Sequence, residues 1–213
     1  MRSEVKVNET FLSIQGESTH AGRPCFFIRF TGCNLRCSYC DTSYAWEEGN
    51  HYTVEALIEM AKATGVKLVE VTGGEPLLQE GAVALISALC DEGFEVLVET
   101  NGSRDISVVD RRATVVMDIK TPGSGMSEEM DLKNLSHLKP KDEVKFVITS
   151  EEDYLWAKAF VLEQDLQGPR TLFSPAWGLL GPETLAGWLL RDKLDVRLNL
   201  QLHKYIFGDR RGV

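Results

Sequence analysis

The 213-residue chain has no apolar run approaching the roughly 20 residues that a membrane-spanning helix needs. Its first residues, Met1 to Glu9, alternate charged and apolar side chains and lack the continuous apolar core of a secretory leader. A positive excess is missing too: 32 acidic residues against 23 lysines and arginines give a formal net charge of −9. That removes the basic footprint of a nucleic-acid binder, although local arginines and lysines can still hold a small anion. No internal repeat, low-complexity run or compositional break divides the sequence. With 43% hydrophobic and 26% charged residues, it reads as one globular domain over residues 1–213, expected in the cytoplasm with neither membrane nor nucleic-acid partner. Cysteine is scarce, five in all. In a reducing compartment these five are metal ligands, nucleophiles or core fillers before they are disulfides.

What is present is a series of short β-rich runs alternating with helical patterns. Phe26 to Phe30 forms a compact apolar strand that ends at Thr31-Gly32. Thr53 stands as N-cap of a helix carrying Val54, Leu57, Ile58 and Ala61 on one face. Lys67 to Thr72 is the next strand, stopped by Gly73-Gly74. A second helix follows, with Ala82, Leu85, Ile86, Leu89 and Cys90 as its stripe and Gly93 at its close. Phe94 to Glu99, Thr114 to Ile119 and Val144 to Thr149 are further strands. A helix over Glu152 to Glu163, a strand at Thr171 to Phe173, a helix after Pro182 and a strand from Val196 to Leu202 complete the order. Strands alternating with helices predict an α/β fold with parallel strands and right-handed crossovers. The chain is short of the roughly 250 residues of a closed eightfold barrel. A partial TIM-like barrel of about six β/α units fits the length, with chemistry at the C-terminal strand ends.

Three of the cysteines fall within eight residues, directly after the first apolar strand: Cys33-Asn34-Leu35-Arg36-Cys37-Ser38-Tyr39-Cys40. Thiolates at this spacing share no face of a regular helix or strand, whereas a loop can wrap them around one inorganic centre. A cubane iron–sulfur cluster takes four ligands, and no fourth cysteine is nearby. One iron is then open to an exogenous ligand, as in open catalytic metal sites. The competing reading is a structural zinc site completed by a histidine, His51 being the nearest. Cys25 and Cys90 read as small buried apolar side chains.

The C-x3-C-x2-C loop after a first strand, with an aromatic at Tyr39, resembles the radical S-adenosylmethionine (SAM) superfamily. The resemblance implies a [4Fe–4S] cluster on Cys33, Cys37 and Cys40, with SAM chelating the open iron and yielding a 5′-deoxyadenosyl radical. Thr72-Gly73-Gly74-Glu75-Pro76 ends the second of the parallel strands, and glycines there let backbone approach a ligand closely. By resemblance Gly73, Gly74 and Glu75 meet the SAM amino group. Thr100 or Asn101 would lie along the SAM wall, and Lys120 and Ser124 near its carboxylate and ribose, with Tyr39 beside the cluster. Strand-end capping and a surface turn are the alternative for each of these positions. Some relatives carry Ser-Pro-Lys where this chain has Asp118-Ile119-Lys120-Thr121-Pro122-Gly123.

Three features point within the superfamily to the 7-carboxy-7-deazaguanine synthase family. The first is Gln15-Gly16-Glu17 in an N-terminal segment, 1–24, together with Arg29. A glutamine and a glutamate around a glycine can read the amide and guanidine-like edge of a pterin. Arg29, in mid-strand among apolar residues, calls for a buried anion. That anion is a substrate carboxylate or an internal partner such as Glu17. The second is Cys40-Asp41-Thr42, where the resemblance makes Thr42 a Mg²⁺ ligand and Asp41 an orienter of that shell or a loop cap. The third is the C-terminal tail, 203–213. Gln201 and His203 are expected on one side of the last strand, and His203 and Val213 at the substrate. The resemblance implies conversion of 6-carboxy-5,6,7,8-tetrahydropterin to 7-carboxy-7-deazaguanine with loss of ammonia, in a homodimer served by a flavodoxin-like electron donor. A glycyl-radical-enzyme activase is the nearest alternative, disfavoured by the Gln-Gly-Glu segment and the carboxylate-seeking arginine. A plain iron–sulfur or zinc carrier has no use for the glycine-rich strand ends.

Overall fold

The computed structural model of the chain describes residues 4–213. Met1 to Ser3, the start of the expected substrate-binding segment, lie outside the described residues. Among the described residues nine strands are formed: β1 (Glu4–Ile14), β2 (Pro24–Phe30), β3 (Asn50–Thr53), β4 (Leu68–Gly73) and β5 (Glu95–Thr100) come first. β6 (Thr114–Ile119), β7 (Glu143–Ile148), β8 (Gly168–Pro175) and β9 (Val196–Leu198) follow. The helices are α1 (Val54–Thr64), α2 (Glu80–Asp91), α3 (Glu151–Glu163), α4 (Pro182–Asp192) and α5 (Leu202–Phe207). All strands join one sheet in the order β3-β1-β2-β4-β5-β6-β7-β8-β9. From β2 to β9 each neighbouring pair is parallel, while β1 runs antiparallel to both β2 and β3. The sheet does not close; β3 and β9 are its edges.

Strand alternation builds two different faces from the same residues. One face turns Phe26, Ile28, Phe30, Val69, Val71, Val96, Val98, Val115, Met117 and Phe146 against Leu57, Leu85, Ile86, Leu89, Tyr154 and Leu185 of the helices. Each such side chain contributes roughly 1.5–3 kcal/mol by leaving water. The other face carries a small apolar patch of Cys25, Phe27, Leu68 and Leu97, with Phe11 stacked on Phe27 at 4.9 Å between ring centres. Next to that patch the same face is polar, and there the cavity forms. Cys25 and Cys90 are buried.

Helix ends follow local chemistry. Thr53 caps α1 as expected, its side chain accepting from the Ala56 amide at 3.2 Å, and Gly65 closes the helix at φ 72°. Strand–helix alternation is incomplete in one region, and one expected strand is corrected. The connections β5–β6 and β6–β7 carry no α-helix, only short 3-10 turns at 106–108, 122–124, 127–129 and 132–137. These polar, glycine- and proline-bearing stretches lack a helical apolar stripe. Asn134 ties them together instead, donating to the Gly102 and Arg104 carbonyls at 3.0 and 2.7 Å. The last strand is also shorter than expected. β9 ends at Leu198, and Asn199 turns inward to donate to Ser174 Oγ at 2.8 Å. Gln201 therefore becomes the N-cap of α5 and His203 sits in its first turn, so the two do not alternate along a strand. No helix among the described residues is long and apolar enough to cross a membrane.

Candidate active site

The cysteine loop starts where β2 stops. Gly32 reverses the chain at φ 99°, and its amide donates to the Ala45 carbonyl at 2.9 Å. Against this loop lies the turn after β4, and here the twin glycines have a packing reason. A Cβ on Gly74 would stand 2.0 Å from the Gly32 carbonyl oxygen; one on Gly73, at φ 144°, would stand 2.4 Å from that of Phe30. Cys33, Cys37 and Cys40 all line one cavity of about 730 Å³. Cys33 Sγ accepts from the Leu35 amide at 3.4 Å and faces Asn101 Nδ2 at 3.8 Å. Burial pushes the Cys37 and Cys40 thiols up, while the Lys120 ammonium pulls both back. Among the described residues, no three His, Cys, Asp or Glu side chains are gathered as tightly as a single ion requires. A cubane places each thiolate on a different iron and so spans more. His51, the fourth ligand of the zinc reading, is exposed on β3 and lies outside the cavity lining. Three thiols with backbone donors around them and no fourth thiol at hand fit a cluster with one open iron.

The residues expected around SAM divide into two groups. Tyr39, Gly73, Gly74, Thr100, Asn101 and Lys120 line the cavity. Glu75 and Ser124 do not. Glu75 is fully buried and accepts from the Leu77 amide at 2.9 Å, the Asn101 amide at 2.6 Å and the Thr100 hydroxyl at 2.9 Å. It joins the strand ends of β4 and β5 rather than presenting its carboxylate. Burial raises its pKa, and these donors hold it back. Ser124 Oγ donates to the Thr121 carbonyl at 2.6 Å within its own turn.

Below this mouth lies a charged layer built from strand residues, Lys120 just after β6 and Glu17 of the loop after β1. Lys145 on β7 donates to Glu17 at 2.9 Å and to Glu99 on β5, and stands 3.7 Å from Asp118 on β6. Lys120 donates to the same Asp118 oxygen at 2.8 Å. Burial alone would lower both lysines, but the carboxylates outweigh it and keep them charged. Burial would likewise raise Glu99, yet Lys145 holds it at about 2. Glu70 on β4 is the exception. It has no cation in contact, accepts a hydrogen bond from Gln15, and is raised well above the carboxylate range by burial and by Glu99 and Glu17.

Gln15, Gly16, Glu17, Arg29, His203 and Val213 all line this cavity. Arg29 has an internal partner, but it is Glu9 on β1, reached by Nε at 2.9 Å, and not Glu17. The two terminal guanidinium nitrogens make no hydrogen bond among the described residues. Tyr44 donates to the same Glu9 oxygen at 2.9 Å. The tail folds over the Gln-Gly-Glu loop: the Leu202 amide donates to the Gly16 carbonyl at 2.9 Å, and Gln201 Nε2 to Glu17 at 3.0 Å. A Cβ on Gly16 would fall 1.9 Å from His203 Nδ1, so the loop passes under the tail only as glycine. Burial lowers the His203 pKa and Glu17 opposes it. Sequence reasoning missed Glu9, Glu70, Glu99, Asp118 and Lys145, although each is a charged residue within a β-rich run.

Residues 27–119 match the model of the radical SAM superfamily. Over 98% of this chain and 97% of the relative, the sequence is 46% identical to a 7-carboxy-7-deazaguanine synthase of Chlorobaculum tepidum. The chain belongs to the 7-carboxy-7-deazaguanine synthase family. A second member, from Koribacter versatilis, is 39% identical over 95% of this chain and 97% of its own. In fold, the chain is similar to QueE from Escherichia coli, with TM-score 0.77 at 22% identity over 94% and 95% of the two chains. Streptococcus suis SuiB bound to S-adenosylmethionine matches at TM-score 0.58 and 14% identity, over 80% of this chain and 48% of that one. Membership in the synthase family makes this chain a radical SAM enzyme, for which the family implies a [4Fe–4S] cluster and SAM. Full-length likeness to synthases leaves the activase reading unsupported.

Proposed function

We propose that the chain converts 6-carboxy-5,6,7,8-tetrahydropterin to 7-carboxy-7-deazaguanine with release of ammonia, towards queuosine and related deazapurines. One observation carries the reading: a single cavity joins three clustered thiols and a twin-glycine turn to an arginine whose terminal nitrogens make no hydrogen bond among the described residues, and to Glu17 and Glu99 beside Lys145. Cys33, Cys37 and Cys40 would hold the cluster, and Gly73, Gly74, Thr100, Asn101, Lys120 and Tyr39 would face SAM. When bound, cluster and SAM would supply the radical chemistry that removes hydrogen from C6 of the pterin. The protein's own part is orientation and exclusion of water. Arg29, its Nε already spent on Glu9, can offer two parallel N–H groups to the substrate carboxylate. Glu17 and Glu99 beside Lys145 present acceptors for the amino and ring N–H groups of a pterin. Gln15 keeps one amide hydrogen and one lone pair free for it. His203 and Val213 of the tail would complete the wall.

Thr42, a neutral hydroxyl at the cavity, suits a Mg²⁺ ion held mostly by substrate and water. In the same reading residues 1–213 act as one domain, with segment 1–24 and tail 203–213 closing the substrate side. The enzyme works as a cytoplasmic homodimer reduced by a flavodoxin-like donor. An anaerobic assay with SAM, reductant, Mg²⁺ and the carboxypterin is expected to yield 7-carboxy-7-deazaguanine, and Cys37→Ala to abolish it. Cleavage of SAM with the pterin left intact would sink the substrate assignment.

A further inference from the structure

The cysteine loop and the C-terminal tail meet at one carboxylate. Asp41 follows the last cysteine and lines the cavity, into which it is 49% exposed. Its Oδ1 accepts from the Thr42 hydroxyl at 2.9 Å. Its Oδ2 accepts from Lys204 Nζ at 2.7 Å and from Gln201 Nε2 at 3.1 Å, both in the C-terminal tail. The same Gln201 nitrogen reaches Glu17 at 3.0 Å, and the Lys204 ammonium lies 5.7 Å from the centre of the Trp177 ring.

The Thr42 hydroxyl has one hydrogen. With that hydrogen given to Asp41, both lone pairs on Oγ1 stay free, and an anionic acceptor makes the oxygen a better metal donor. The other Asp41 oxygen is committed to a helix with no buried residue of its own. Besides the edge-on contact of Tyr205 with the exposed Trp177 ring at 5.2 Å, polar contacts seat the tail: Asp41, the Gly16 carbonyl and the Arg211 guanidinium 3.7 Å over the Tyr44 ring. We propose that Asp41 is a positioning residue tying the orientation of Thr42 to the seating of the C-terminal tail, so that Mg²⁺ binding and tail closure reinforce each other. The inference rests on the reading of Thr42 as the Mg²⁺ ligand. Coupling of this kind is reciprocal: whatever factor the metal adds to tail closure, the closed tail adds to metal affinity.

Trypsin cuts after Lys204, Arg210 and Arg211, so the tail reports its own seating. In the reconstituted enzyme with SAM and the carboxypterin, Mg²⁺ is expected to slow cleavage after Arg210 and Arg211. Asp41→Asn removes that protection and raises the Mg²⁺ needed for half-maximal turnover by roughly tenfold or more. Lys204→Met leaves Asp41 and Thr42 in place, yet raises the Mg²⁺ requirement by the factor through which Mg²⁺ protects the wild-type tail. Equal Mg²⁺ protection of wild type and Asp41→Asn, or an unchanged requirement in Lys204→Met, overturns the coupling and leaves Thr42 as a ligand. If Mg²⁺ alters neither turnover nor cleavage in the wild type, the metal reading fails, and the coupling with it.

Discussion

At the residue scale, the site depends on charges placed where strands normally carry apolar side chains. Lys145 is the hub, facing carboxylates from a loop and two strands. Lys145→Met would leave the half-buried Glu17 and Glu99 without their buried cation, and breaking a fully buried pair costs about 3–5 kcal/mol, an upper bound here. A urea titration should show that loss. The variant should also begin acid unfolding at higher pH. Glu99 sits at about 2 in the fold against an ordinary 4.5, so its stabilisation is present above about 4.5 and lost as pH falls towards 2. Without Lys145 that window moves upward. Glu70 has the opposite sign. Its folded value lies above 4.5, so it holds its proton in the fold, and stability is lost as pH rises through that raised value. Glu70→Gln keeps an acceptor for Gln15 and carries no charge. Its urea midpoint relative to wild type should therefore climb between pH 5 and pH 8; a pH-independent difference would show that Glu70 is ionised in the fold as it is in the unfolded chain. This layer was half legible. Arg29 in its apolar run was read as needing an anion, and the same signal stood at Glu70, Glu99, Asp118 and Lys145. Only the register that brings Asp118 opposite Lys145, and Arg29 opposite Thr72, shows that they share one face.

At the element scale, strong periodicity was readable and context was not. α1 was readable from Thr53 because cap and stripe lie within one short segment, while its stop at Gly65 was not named. Thr53→Ala should cost about 1 kcal/mol in a thermal or urea melt. Turnover should be untouched, because neither Thr53 nor α1 lines the cavity. β1 was not recognised, although Val5 and Val7 alternate with polar neighbours and are buried. The alternation was used only to exclude a leader. Nor could the sequence place the end of β9. Val196 to Leu202 alternates like a strand, and what stops it is an asparagine turned to Ser174 and a helix seated on Gly16, both long-range contacts. Gly16→Ala tests that seating. The new Cβ would overlap His203, so the tail should become more open to trypsin while the thermal midpoint stays close to wild type.

At the scale of the whole molecule, folding and chemistry occupy opposite faces of one open sheet. The helix side carries the extended core from β1 to α4. The cavity side carries the charges, and it is covered by two segments that contribute little to that core, the 15–19 loop and the tail. An open sheet suits this division, because a closed barrel would fill its interior with side chains. It follows that closure of the site and stability of the fold should separate experimentally. Deleting residues 202–213 removes α5, which has no buried residue, and takes away His203, Lys204 and Val213 from the cavity wall. The truncated chain should melt within about 3 °C of the full chain, the equivalent of about 1 kcal/mol or less for this size. It should still load iron on Cys33, Cys37 and Cys40, whose hydrogen bonds among the described residues lie within their own loop and to Asn101, not to the tail. Product should vanish, while SAM cleavage continues without the pterin being consumed. A truncated chain that unfolds or fails to hold iron would show that the tail belongs to the fold, and that the two faces are not energetically separate.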